Sequence, residues 1–153
     1  MEVILQPDEQ LIKEETFTSS LLLVWLKTNF NLTSKRVTGT HPNTLFGVIP
    51  MGQQQFTYPL KNIASVAAST KFYFWRLILG LVLLYAGISI ITTSFIPALV
   101  LLLLALNLVF HSYTATFIVT NNAGQAPVIE LSILEKDKVT QLVSSINHQI
   151  AAL

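Results

Sequence analysis

Between Leu77 and Ile129 the chain has no Asp, Glu, Lys or Arg, a run of 53 residues in a protein of 153. All nine Lys and Arg lie at or before Arg76 or at Lys136 and Lys138, and no acid falls between Glu15 and Glu130. Such a stretch cannot be a solvated tail or a conventional surface, so it sets the class before any motif is read. With 52% hydrophobic and 11% charged residues, against about a quarter charged in an average soluble domain, the composition predicts a small membrane protein, which the strands and helices read below make an α+β membrane protein. A formal net charge of +1 with no basic stripe excludes a nucleic-acid binder.

Within that run, Phe72 to Thr92 is about 21 residues and would reach ~31 Å as a helix, the thickness of a hydrocarbon core. Phe95 to Ser112 follows, with Thr92-Thr93-Ser94 between them and Pro97 in the first turn of the second segment, where a missing N–H costs little. The reading is a two-helix transmembrane hairpin. Gly80 and Gly87 are seven apart, as are Ala98 and Ala105; folding the chain about Thr92/Thr93 sets Gly87 opposite Ala98 and Gly80 opposite Ala105. Small residues at heptad spacing predict the seam on which the two helices pack. Lys71 and Arg76 flank the first helix while the turn between the helices has no basic residue, which orients both termini to the cytoplasm of a two-span protein of the cell membrane. Asn107, the one strongly polar side chain of the second helix, is expected to bond between helices.

The flanks alternate with period two. Gln10 to Thr18, Ser20 to Thr28, Asn31 to Thr40, Gln53 to Leu60 and Asn62 to Ser69 precede the hairpin as predicted strands, and Thr114 to Thr120 and Val128 to Leu134 follow it. At the end, Val139, Leu142, Val143, Ile146 and Ile150 repeat at helical spacing, with Ser132 and Glu135 as a capping box. The chain divides into 1–71, the first part of a cytoplasmic β domain; 72–112, the hairpin; and 113–153, the last strands and C-terminal helix.

Seven strands and one C-terminal helix are the inventory of a pleckstrin-homology fold. Asn31-Leu32-Thr33-Ser34-Lys35-Arg36-Val37 and Tyr58-Pro59-Leu60-Lys61-Asn62-Ile63-Ala64-Ser65-Val66 resemble two strand motifs of bacterial pleckstrin-homology-like membrane proteins. The resemblance covers about residues 1–70 and 113–153. It implies a seven-stranded antiparallel β-barrel or sandwich with a C-terminal helix, interrupted by the transmembrane hairpin.

No catalytic constellation is expected. Cysteine is absent, His41, His111 and His148 fall on separate segments, and there is neither a phosphate-binding glycine loop nor a nucleophile elbow. No metal or cofactor is called for. Lys35, Arg36, Lys71 and Arg76 are candidate lipid-headgroup contacts, because basic residues near an anionic surface contribute about 1 kcal/mol each. The function expected is that of a non-enzymatic, membrane-anchored interaction or assembly module, self-associating or a subunit of a larger membrane complex, with membrane lipids and a protein partner or itself as partners. The alternatives are an anionic-lipid-sensing or envelope-stress component, and an immunity or accessory subunit of a transporter.

Overall fold

The computed structural model describes residues 5–45 and 49–152. Its elements are β1 (Leu11–Thr18), β2 (Lys27–Thr33), β3 (Arg36–Leu45), β4 (Ile49–Pro59), β5 (Ile63–Phe72), α1 (Phe74–Ile90), α2 (Phe95–Phe110), β6 (Tyr113–Asn121), β7 (Val128–Ser132) and α3 (Lys136–Ala151). Two antiparallel sheets form, one of four strands in the order β1-β2-β3-β4 and one of three in the order β5-β6-β7. They face each other across an apolar core of Phe17, Phe30, Leu32, Phe117 and Leu131, each with no accessible surface. Phe30 is its centre, with ring centroids of Phe117, Phe56 and Phe17 at 4.8, 5.2 and 5.3 Å. Helix α3 lies over β5 and β6 and inserts Val139, Leu142 and Ile146 into the same core, the face that the period of 3.6 marks out.

Three expectations are corrected by this architecture. The first is the transmembrane hairpin. The β5–β6 ladder runs on to Phe72 opposite Tyr113, and it takes from the helices the residues that would have lengthened them. At the other end Thr92, Thr93 and Ser94 are needed for the turn. That leaves 17 residues in α1 and 16 in α2, about 25 and 24 Å at 1.5 Å per residue, against ~30 Å of hydrocarbon. No helix among the described residues is long and apolar enough to cross a membrane. The second correction follows from it: a two-span, multi-pass placement in the cell membrane with both termini cytoplasmic has no support, because the orientation argument from Lys71 and Arg76 needs helices that span. The third is the closed barrel. β1 and β7 lie side by side but share no ladder, and β4 has β3 as its one paired neighbour among the described strands, so the sheets stay open.

The early strands are also displaced. Leu21 to Leu26, expected within a strand, forms a tight turn in which the Ser20 hydroxyl accepts from Leu23 N–H (3.2 Å) and Leu26 N–H donates to the Leu23 carbonyl (2.9 Å). Asn29, which falls between the predicted strands Ser20 to Thr28 and Asn31 to Thr40, is inside β2 opposite Thr16 and Thr40. The chain reverses instead at Ser34-Lys35. In the expected capping box, Ser132 accepts from Leu134 N–H, but Glu135 turns to Lys138 (2.8 Å).

The hairpin packs through small residues. Gly80, Gly87, Ala98 and Ala105 are all buried. A Cβ at Gly80 would lie 2.8 Å from Val109 Cγ2 and 3.1 Å from the Ala105 carbonyl oxygen, and one at Gly87 would lie 3.0 Å from Leu102 and 3.3 Å from the Ala98 carbonyl oxygen. Backbone oxygen cannot give way as a flexible side-chain end does. Replacing Gly80 or Gly87 by Leu should therefore destabilise the hairpin by about 2 kcal/mol or more, whereas Val82→Leu, at a side chain 57% exposed, should stay within about 0.5 kcal/mol. Urea titration followed by circular dichroism distinguishes the two; equal midpoints for all three variants would contradict the seam.

Candidate functional site

Polar chemistry collects where the hairpin leaves the sheets. Tyr73, the residue between β5 and α1, donates its backbone N–H to the Ser112 carbonyl and its hydroxyl to Glu130 Oε1. Arg76, one turn into α1, donates Nη1 to Glu130 Oε2 at 2.9 Å and to the His111 carbonyl at 3.4 Å, and its guanidinium lies 3.8 Å from the Tyr73 ring centroid. Glu130 comes from β7, so one carboxylate ties the first turn of α1 to the far strand of the second sheet. Burial pushes the Glu130 carboxyl up, but the hydrogen bonds from Arg76 and Tyr73 outweigh it and hold the group below the usual carboxylate range. Burial and the same carboxylate push the Tyr73 phenol up, keeping it a donor.

Beside this cluster is a cavity of about 450 Å³, lined among others by Ser19, Leu26, His41, Arg76, His111 and Glu130. Its two imidazoles come from different parts of the chain, His41 from β3 and His111 from the end of α2. A hydroxyl relay reaches His41: Ser19 Oγ and Thr28 Oγ1 are 2.7 Å apart, and Thr28 Oγ1 is 2.9 Å from His41 Nδ1. His111 places Nδ1 3.2 Å from the Asn107 carbonyl and also bonds the backbone of Ser19. Burial lowers both imidazole pKa values below the ordinary histidine range; Glu130 opposes this at His41, and the Asn107 and Ser19 carbonyls oppose it at His111. Both rings are thus neutral at pH 7. No group of three or more His, Cys, Asp or Glu side chains among the described residues is placed to hold a metal. The arrangement has neutral rings, hydroxyls and one carboxylate already bound to a guanidinium, which together can fix a joint.

The four expected headgroup residues are divided between sites. Arg36 grips Glu9, donating Nε to Oε1 (2.8 Å) and Nη2 to Oε2 (3.1 Å), while Thr33 donates to Glu9 Oε1 (2.6 Å) and Gln6 N–H to Oε2 (2.8 Å). The Glu9 side chain has no accessible surface. Burial alone would raise its pKa; the bonds from Arg36, Gln6 and Thr33 win and hold it at about 2. Lys35 donates Nζ to the Pro7 carbonyl (3.1 Å), Lys71 sits 5.0 Å from the Tyr73 ring centroid, and Arg76 is on Glu130. Arg36 and Arg76 are thus held in ion pairs within the fold. Asn107 is buried within the hairpin.

Away from its base the hairpin is apolar on its outside. Fourteen large apolar side chains of α1 and α2 are exposed, among them Leu81, Val82, Ile88, Ile96, Val100 and Leu103. At roughly 80 Å² open on each, their summed apolar surface is on the order of 1,000 Å², spread over more than one side of the hairpin. Comparison with protein-family models, with curated proteins and with solved structures gives no match.

Sequence reasoning missed Glu9, Tyr73, Glu130, His41 and His111 as working groups. A signal existed for Glu130, which is the first acid after Glu15 and stands between Ile129 and Leu131 in an alternating strand. A carboxylate in that setting needs a cation.

Two pH windows follow. Glu9 gives a contribution that is complete above its unfolded value near 4.5 and lost as pH falls through about 2. Glu9→Gln should cost about 2 kcal/mol or more at pH 6, and should lose less further stability than the parent between pH 5 and 2, by urea midpoints at each pH. For the imidazoles, the unfolded chain takes up protons below about pH 6.5 that the folded chain refuses, so stability falls as pH drops through that value. His41→Gln should flatten the slope between pH 7 and 5; an unchanged slope would contradict a neutral, buried His41.

Proposed function

We propose that this protein is a non-enzymatic, pleckstrin-homology-like interaction module that works by self-association, with the α1–α2 hairpin as its association element. The observation that carries the reading is the hairpin's outer surface. A standard protein interface covers about 800 Å² on each partner, and the apolar side chains exposed on all sides of the hairpin together exceed that, with no charge from Leu77 to Ile129. Apolar side chains stand on more than one side of the pair, so hairpins gathered with neighbours on several sides cover them better than a single pairwise contact.

Sheets of four and three strands followed by one C-terminal helix support the pleckstrin-homology-like part of the reading, with the hairpin inserted between β5 and β6. The polar joint supports the non-enzymatic part: its ionised groups are paired with one another, and its imidazoles are held by a hydroxyl and by backbone carbonyls. Such a joint sets the angle at which the hairpin leaves the β domain, and association of identical surfaces depends on that angle being the same in every copy.

Light scattering on the full chain at about 50 μM should give a mass that is a multiple of 17.0 kDa. Leu81→Glu with Leu103→Glu, two exposed sites on different helices, should return the mass to one copy while the circular dichroism of the fold is kept. A parent that is monomeric in buffer overturns the reading. So does a monomer that floats with phosphatidylcholine vesicles, since lipid would then be what covers the hairpin.

A further inference from the structure

The turn between β1 and β2 holds a tryptophan in the open. Trp25 is 66% exposed, although it stands next to Leu26, which is buried. The chain is pinned on both sides of the indole. Leu26 N–H donates to the Leu23 carbonyl (2.9 Å), the Leu26 carbonyl accepts from Ser19 N–H (2.8 Å), and the Ser20 hydroxyl holds Leu23 N–H (3.2 Å). A side chain with roughly 150–250 Å² to bury is thus kept at the surface by a backbone that cannot fold it back.

Trp25 is one wall of a cleft of about 360 Å³, whose described lining also includes Leu26, Lys27 and Asn29 of β2, Pro42 of β3 and Gln53 of β4. Phe30, Val37 and Phe56 point into the core, so the period of two puts Lys27, Asn29, Pro42 and Gln53 on the outer face of the four-stranded sheet. Pro42 is buried and gives the cleft an apolar floor, while Lys27 and Gln53 are exposed at its rim. Asn29 is held in place: its Oδ1 accepts from Thr16 Oγ1 (2.9 Å) and its Nδ2 reaches Thr40 Oγ1 (3.5 Å), which leaves a second N–H on that nitrogen. The volume is near the lower end of small-molecule sites, about 300–1,000 Å³, and suits one ring rather than an extended chain.

We propose that this cleft binds a single pyranose ring bearing a carboxylate, a uronate, stacked on Trp25 with its carboxylate at Lys27. A pyranose with equatorial substituents has two faces of axial C–H groups, which pack on an indole as apolar surface does, and an edge of hydroxyls that need partners in the plane of the ring. The amides of Asn29 and Gln53 have both donors and an acceptor for such an edge. Lys27 is the one charged side chain among the described lining residues, and its ammonium selects an anionic ring over a neutral one. No described residue of α1 or α2 lines the cleft, so the proposal does not rest on association through the hairpin.

Saturation-transfer NMR on the full chain with methyl β-D-glucuronoside tests this. Protons of one ring face, H1, H3 and H5 on one side or H2 and H4 on the other, should receive at least about twice the transfer of the opposite face, as stacking on an indole requires. Methyl β-D-glucoside, with a hydroxymethyl group in place of the carboxylate, should bind at least about fivefold more weakly, and Lys27→Gln should remove that difference. Trp25→Ala should cost at least about tenfold in affinity and Trp25→Tyr less than about threefold, while Trp75→Ala, at an indole 78% exposed on α1, should change nothing. Circular dichroism should show each variant folded, Trp25→Ala should keep the parent's mass in light scattering, and Leu81→Glu with Leu103→Glu should keep the sugar. Absent or uniform transfer, equal affinity for the two glycosides, or binding that survives Trp25→Ala overturns the proposal. Loss of the sugar with the hairpin variants overturns it too. So does a lower mass for Trp25→Ala, since a second copy would then be what covers the indole; that result leaves the hairpin reading standing.

Discussion

Phe72 pairs with Tyr113 across the β5–β6 ladder, although forty residues, 73 to 112, separate them in sequence. Everything above the sheets answers to that pairing. The two ends of the insertion must lie one strand spacing apart, about 5 Å, and an antiparallel pair of helices in contact, with axes about 8–10 Å apart, returns the chain near enough for Tyr73 and Ser112 to close the gap. Close contact needs small residues, which is why Gly80, Gly87, Ala98 and Ala105 stand where they do and why carbonyl oxygens of α2 come within 3.1–3.3 Å of where a Cβ on α1 would be. The ladder also determines how long the helices can be, since Phe72 and Tyr113 are strand residues and not helix residues.

What could be read from the sequence depended on whether one side chain pattern had a single structural explanation. The alternation of Gln53 to Leu60 and of Thr114 to Thr120 fits only a strand; β4 takes in the first as far as Pro59, with Leu60 in the turn that follows, and β6 takes in the whole of the second. The spacing of Val139, Leu142, Val143 and Ile146 fits only a helix, and all four are buried in α3. Leu21 to Leu26 had two explanations. An unbroken apolar run reads as a buried strand, yet the Ser20 hydroxyl captures Leu23 N–H and turns the chain, leaving Val24 and Trp25 60% and 66% exposed. Helix length in the hairpin was not legible, because the aromatic residues that end β5 are as apolar as those that begin α1. The joint was not legible either: His41, His111 and Glu130 are brought together by sheet topology, and no local spacing connects them.

Paired charge in this protein works at joints rather than on a reading face. The Glu9–Arg36 pair pins the segment before β1 to the turn between β2 and β3, with Thr33 and the Gln6 N–H completing the carboxylate's hydrogen bonds. Arg76–Glu130, with Tyr73 against both, does the same for α1 and β7. Pairs that are buried or half-buried in this way contribute little to net stability compared with apolar packing, but they penalise every arrangement in which one partner is left alone. That is the property required of a rigid mount for an apolar hairpin.

The insertion also bears on how the chain reaches its native state. Closing a flexible forty-residue loop before any strand contact forms is entropically costly, and pairings distant in sequence slow folding. A helical hairpin has only neighbouring contacts, and once it has formed, Phe72 and Tyr113 are held side by side, so the β5–β6 ladder can grow from the hairpin end like a zipper. The same seam that packs the two helices therefore converts the most distant strand pairing in the second sheet into a local one.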